Sequence, residues 1–90
     1  MELKEILYSV SLLEVAGSTD LEITSIAFDS RKAASEGLFV AVKGTAVDGH
    51  AFIGKAIEQG AAAILCEEMP AEFVSGVTYV KVDNSAKALG

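Results

Sequence analysis

Apolar residues recur along this chain in short, separated runs, and their spacing switches several times between helical and strand-like. Leu3, Ile6, Leu7 and Val10 fall at helical intervals, which predicts a short amphipathic helix at the start. Leu13 to Ala16 reads as a brief strand, closed by the turn Gly17-Ser18-Thr19-Asp20. Glu22 to Phe28 reads as a second strand; its alternation slips between Ile23 and Ile26, as at a bulge or in a strand covered on both faces. Leu38 to Val42 is apolar without interruption, the pattern of a central strand buried on both faces. Asp48 then caps a helix whose buried stripe is Ala51, Phe52, Ala56 and Ile57, and Gly60 stops it. Ala61 to Cys66 is another buried strand, with alanines small enough to admit a closely packed helix. Pro70 opens a turn or a single helical turn, and Val77 to Val82 alternates as a last strand.

Strand, helix and strand in succession form a βαβ unit, whose crossover is nearly always right-handed. The expected architecture is therefore α/β: a small three-layer domain with an open mixed sheet flanked by helices, and a site at the strand C-terminal ends. At the end of the chain Asp83 or Ser85 reads as an N-cap, and Ala86-Lys87-Ala88-Leu89 as the first turn of a helix. One helical turn is unstable alone, because nucleation costs more than a turn returns. The expected division is thus a domain over residues 1–84, with 85–90 starting a helix that leads into a further domain.

Ninety residues suffice for one domain and not two. A net charge of −6 argues against nucleic acid as a partner, because a basic face supplies most of that affinity. Any phosphate site must then be a local exception, and Arg31, Lys32 and Lys43 are the cations nearest in sequence to the loop that would form it. With one cysteine, Cys66, and one histidine, His50, neither an internal disulfide nor a Cys/His zinc cage can be built. Cys66 lies in an apolar run and reads as a small core residue. The acidic start Met1-Glu2-Leu3-Lys4-Glu5 is unlike a signal peptide, and no apolar run approaches the roughly 20 residues of a membrane span, so a cytoplasmic setting without a membrane partner is expected.

Catalytic motifs are missing. Lys43-Gly44-Thr45 has Walker-type residues in the wrong order, with no glycine five residues before Gly44, and no Gly-x-Gly-x-x-Gly occurs. A trio of Ser30, His50 and Asp48 is no more than chance supplies, and Glu67-Glu68 falls at a strand end facing water. No catalytic residue and no metal ligand is assigned. Binding is better supported, because strand ends, a glycine-marked loop and a helix start converge between Phe28 and His50. If Phe28 to Arg31 stays extended, Phe28 and Ser30 share one face towards a ligand while Asp29 and Arg31 pair on the other. The alternative, favoured by sequence physics alone, is that Asp29-Ser30-Arg31 is a capped turn. Gly44 reads as a point where the backbone approaches a ligand closely, with the amides of Thr45, Ala46 and Val47 facing it; turn geometry needing positive φ at Gly44 and Gly49 is an equally supported reading. His50 reads as a surface or capping residue.

The run Asp29-Ser30-Arg31, then Gly37-Leu38-Phe39-Val40-Ala41-Val42-Lys43-Gly44-Thr45, then Asp48-Gly49-His50 with Phe52-Ile53, resembles the N-terminal domain of Mur ligases. The resemblance continues through Ala56-Ile57-Glu58-Gln59-Gly60-Ala61-Ala62-Ala63 and Asp83-Asn84-Ser85-Ala86-Lys87-Ala88-Leu89, so it covers nearly the whole chain. Thr45 after Gly44 and the Asp-Ser-Arg form lean towards the MurE type, which adds a diamino acid to UDP-N-acetylmuramoyl-L-alanyl-D-glutamate in peptidoglycan synthesis, over the MurF type. The resemblance implies that this domain anchors the UDP part of the substrate. Phe28 and Ser30 match positions contacting the uridine diphosphate, and Thr45, Ala46 and Val47 the loop along the uridine. It also implies that ATP and Mg2+ belong to a central domain of the longer enzyme, with a C-terminal domain beyond it, and that these residues hold no cofactor and are inactive alone. One departure stands out: where the family has Gly-Asp before the Leu-Phe strand, this chain has Glu36-Gly37. A free-standing α/β interaction module is the competing reading from another class.

Overall fold

The computed structural model describes residues 2–8, 10, 12–42 and 48–84. Among these, five strands form one sheet: β1 (Leu12–Ala16), β2 (Ser25–Ala27), β3 (Gly37–Val40), β4 (Ala63–Cys66) and β5 (Thr78–Val82). Their spatial order is β1-β5-β4-β3-β2, with β2 to β5 mutually parallel and β1 antiparallel to β5. The mixed sheet read from the pattern is therefore present.

The two-residue period of the strands explains the layers. Register pairs Leu38 with Ala63, and Ala63 with Thr78; one step on, Phe39 pairs with Ile64 and Ile64 with Tyr79. On one face Leu38, Val40, Ala63, Leu65, Val80 and Val82 pack with Leu3, Leu7 and Ile23. On the other, Phe39, Ala41, Ile64, Cys66 and Tyr79 pack with Ala33, Ile53, Ala56 and Ala61. Helix α1 (Leu3–Ile6) covers the first core, and helix α2 (Ile53–Glu58) the second, so three layers result. Strands β3 and β4 are buried along their whole length, as uninterrupted apolar runs require. Each fully buried Leu, Ile or Phe contributes roughly 1.5–3 kcal/mol, so these two strands carry much of the fold.

Three expectations need correction. The second strand is not Glu22 to Phe28 but Ser25–Ala27, at a sheet edge; Ile23 is buried in the first core, whereas Ile26 is 45% exposed. The apparent slip in alternation marks the end of a coil segment, not a bulge. Asp48 does cap, its carboxylate accepting the His50 N–H, but it caps a 3-10 turn (Gly49–Phe52) that continues into the six-residue α2. A 3-10 turn advances three residues per turn instead of 3.6, so the buried positions shift. Ile53 and Ala56 face the core, while Ala51 and Phe52 are exposed. The helix start expected to present a positive end is therefore only a tight turn and a short helix.

Glu36 adopts φ 60°, the left-handed region that side chains disfavour. Gly37 is needed for a different reason: a Cβ there would lie 2.9 Å from Ser25 Oγ and 3.0 Å from the Ala34 carbonyl oxygen. The resemblance to Mur ligases implies a glycine at the place of Glu36, which is the left-handed position. The swap therefore puts a side chain on a strained backbone, in the turn that leads into β3.

Candidate functional site

A cleft of about 540 Å3 opens where β2 and β3 end. Phe28, Asp29, Ser30 and Arg31, which directly follow β2, form one wall, and Phe39 and Val42, from β3 and just past it, line it too. The third side is built by Gly49 and Phe52 of the 3-10 turn and by Lys55 of α2.

The Phe28–Arg31 wall is a turn and not an extended segment. Asp29 accepts the Arg31 N–H at 2.9 Å and starts a 3-10 turn over Ser30–Lys32. The split of Phe28 and Ser30 from Asp29 and Arg31 is thus corrected: the turn brings all four to the cleft. The Asp29–Arg31 pair does form, with Arg31 Nη2 donating to Asp29 Oδ2 at 2.7 Å and Nε donating at 3.2 Å. This guanidinium holds the Asp29 carboxyl down to about 2. Ser30 is 6% exposed; its carbonyl accepts from Gln59 Nε2 at 2.8 Å, which ties the turn to the end of α2. Ser30 is one of the residues that line the cleft.

The remaining lining is apolar or cationic. Phe39 is fully buried, whereas Phe28 is 58% and Phe52 38% exposed, so two rings offer open surface to a flat ligand. Lys55 forms no ion pair among the described residues. With Arg31 it gives the cleft two cations against one carboxylate, a local exception on a chain of net charge −6. Lys32, expected near the site, is not part of the lining.

Gly49 closes the base. Its N–H donates to the Val42 carbonyl at 2.8 Å, and a Cβ would lie 2.8 Å from Val42 N and 2.9 Å from Val42 O. Gly49 does not have the positive φ expected of a turn glycine; its close approach to the Val42 backbone is what requires glycine instead. What approaches is the backbone just past β3, at Val42. Thr45, Ala46 and Val47, expected to face the ligand, lie outside the described residues, as do Lys43 and Gly44.

Phe28 and Ser30, which the sequence singles out, both line the cleft; Phe39, Val42, Phe52 and Lys55 line it as well without being singled out there. Phe52 and Lys55 stand three residues apart, a spacing that puts them on one helical face, and that signal was available.

A sequence profile described as "Mur ligase family, catalytic domain" matches residues 22–90. The UDP-N-acetylmuramoyl-L-alanyl-D-glutamate–2,6-diaminopimelate ligase of Bacteroides fragilis is 52% identical over 90 residues, covering 100% of this chain and 19% of that protein. Its counterpart in Cytophaga hutchinsonii is 46% identical over 91 residues, again covering 100% of this chain and 19% of the relative. The chain therefore spans about a fifth of the length of the curated relatives it matches. Among solved structures, MurF from Acinetobacter baumannii superimposes with a TM-score of 0.75 at 23% identity, over 96% of this chain and 18% of that one. At that identity the likeness speaks for the fold alone. MurF ligase from Thermotoga maritima, solved in complex with ADP, gives a TM-score of 0.61 at 32% identity over 69% of this chain and 14% of its own.

Proposed function

The chain belongs to the Mur ligase family, and from that premise we propose that it is the substrate-anchoring domain of a MurE-type ligase, holding the UDP moiety of UDP-N-acetylmuramoyl-L-alanyl-D-glutamate in the cleft at the ends of β2 and β3. The observation that carries this reading is the lining itself: open aromatic surface and a serine hydroxyl beside two cations, on an otherwise acidic chain. Uracil suits the rings of Phe28 and Phe52, the ribose and the first phosphate suit Ser30, and the diphosphate suits Arg31 and Lys55. Thr45, Ala46 and Val47 complete the uridine side.

In this reading residues 1–84 form the anchoring domain and 85–90 lead to the central domain, where ATP and Mg2+ activate the substrate carboxylate as an acyl phosphate. A diamino acid amine then displaces phosphate. The cleft supplies none of that chemistry. It contributes binding energy from a remote handle, which positions the reacting end elsewhere in the longer protein. The names of the curated relatives support a diaminopimelate-adding enzyme over a MurF type, whose likeness is chiefly one of fold. The cytoplasm, where nucleotide-linked precursors and ATP are available, is the proposed setting; no helix among the described residues is long and apolar enough to cross a membrane.

Comparing UDP with uridine tests the proposal. Lys55→Gln should weaken UDP binding about fivefold at low salt and leave uridine unaffected, because an exposed charge contributes up to about 1 kcal/mol. Phe28→Ala should weaken both ligands. Equal affinity of the unaltered chain for UDP and uridine would take the diphosphate out of the cleft.

A further inference from the structure

His50 stands beside the cleft with both ring nitrogens hydrogen-bonded. Its ring is 10% exposed. Nε2 accepts the backbone N–H of Glu67 at 2.9 Å and that of Glu68 at 3.2 Å, both just past the end of β4. An amide N–H can only donate, so Nε2 must present its lone pair and the ring proton sits on Nδ1. Nδ1 then donates to Asp48 Oδ1 at 2.8 Å, the same oxygen that caps the 3-10 turn by accepting the His50 N–H at 2.9 Å. The ring is thus fixed in one tautomer and one orientation.

The consequence is mechanical. The 3-10 turn supplies Gly49 and Phe52 to the cleft and is joined at Gly49 to Val42, beyond β3. Through His50 it is joined a second time, to the end of β4, the next strand in the sheet. The turn's other end runs into α2, whose Ile53 and Ala56 are packed in the second core. Without the His50 bonds the start of the turn is tied, among the described residues, through Val42 alone.

We infer that His50 is a positioning residue for the nucleotide cleft, bolting the start of the Gly49–Phe52 turn to the end of β4 so that the turn keeps its place as one side of the cleft. The inference rests on the UDP-anchoring reading for its ligand and on hydrogen-bond geometry for its mechanism. Substitution can separate the two attachments made by the ring. A glutamine carbonyl reaches the place of Nε2 and can accept the Glu67 and Glu68 amides; an asparagine reaches only the place of Nδ1.

The test is a UDP titration of the 90-residue chain, unaltered and as His50→Gln and His50→Asn, with nitrogen-15 shifts of the His50 ring measured on the unaltered chain. The ring is expected to show a protonated Nδ1 and an unprotonated Nε2. His50→Asn should lose roughly tenfold in UDP affinity while its amide spectrum stays dispersed, and His50→Gln should keep its affinity within about threefold. A merely structural histidine would lower thermal stability in both variants without changing UDP affinity in the folded chain. That result, or a protonated Nε2, overturns the inference. If His50→Asn does not fold, a His50→Gln affinity lowered by more than about threefold, or a protonated Nε2, still overturns the inference. Failure of the unaltered chain to bind UDP would instead sink the anchoring reading, and is distinct from binding that the variants leave unchanged.

Discussion

Two glycines five positions apart, Gly49 and Gly54, should respond to the same substitution with opposite signs. Neither has a positive φ, so backbone strain does not enter and only the surroundings of an added methyl decide. At Gly49 the methyl would meet Val42 N at 2.8 Å and Val42 O at 2.9 Å. Both are backbone atoms that cannot swing aside, so the 3-10 turn or the end of β3 must shift. Overpacking of this kind costs about 1–3 kcal/mol, and weakening the 2.8 Å bond from Gly49 to Val42 adds to it. For a domain of this size each kcal/mol lowers Tm by about 4–8 °C, so Gly49→Ala should melt roughly 5–20 °C lower. At Gly54, in α2, nothing lies within 4 Å of the added methyl. Gly54→Ala should therefore stabilise by about 0.5–1 kcal/mol through helix propensity alone, raising Tm by a few degrees. Thermal unfolding followed by circular dichroism reads both. Equal shifts, or a Gly49→Ala change within about 0.5 kcal/mol of zero, would refute the close approach at the base of the cleft.

Glu36→Gly should stabilise by about 0.5–1 kcal/mol, since relief of the left-handed backbone exceeds the extra chain entropy of glycine; a lower urea midpoint would contradict the strain assigned to φ 60°. The hydrogen-bonded Arg31 side chain holds the Asp29 carboxyl at about 2. A pKa depressed in the folded state stabilises the fold above the unfolded value of about 3.9, and that contribution fades as pH falls from there towards 2. Arg31→Ala should return the Asp29 titration, followed by carboxyl carbon-13 shifts, towards about 3.9; an unmoved titration would sink this assignment. Burial pushes the Cys66 thiol up to about 11. Alkylation near neutral pH should therefore run at least about a hundredfold slower in the folded chain than in urea, and equal rates would place Cys66 outside the core.

What the sequence disclosed about the fold follows from how each residue is buried. Leu38 to Val42 and Ala61 to Cys66 are legible because strands covered on both faces leave no polar alternation to misread. Phe52 departs from the expected stripe because it belongs to the 3-10 turn, whose period differs from that of a helix, whereas Ala56 and Ile57 in α2 pack on the core as expected. Phe28 and Ser30 reach the cleft as expected, but through a turn and not along a strand. Lys55 was passed over because cations were sought beside the loop in sequence, whereas this one arrives by the packing of α2. His50 read as a capping residue because its decisive partners, the Glu67 and Glu68 amides, lie 17 and 18 residues away. Local patterns carry strands and turns well; contacts between distant segments carry the site, and a single sequence does not display them.

The central claim, that this cleft holds the uridine diphosphate of a Mur ligase substrate, is tested most directly by an amide-resolved NMR titration with UDP, run beside ATP. The account predicts selective shifts with UDP at Phe28, Ser30, Arg31, Phe52 and Lys55, extending to Thr45, Ala46 and Val47, and weaker effects with ATP. Shifts confined to other surfaces, or a stronger response to ATP than to UDP, would contradict it.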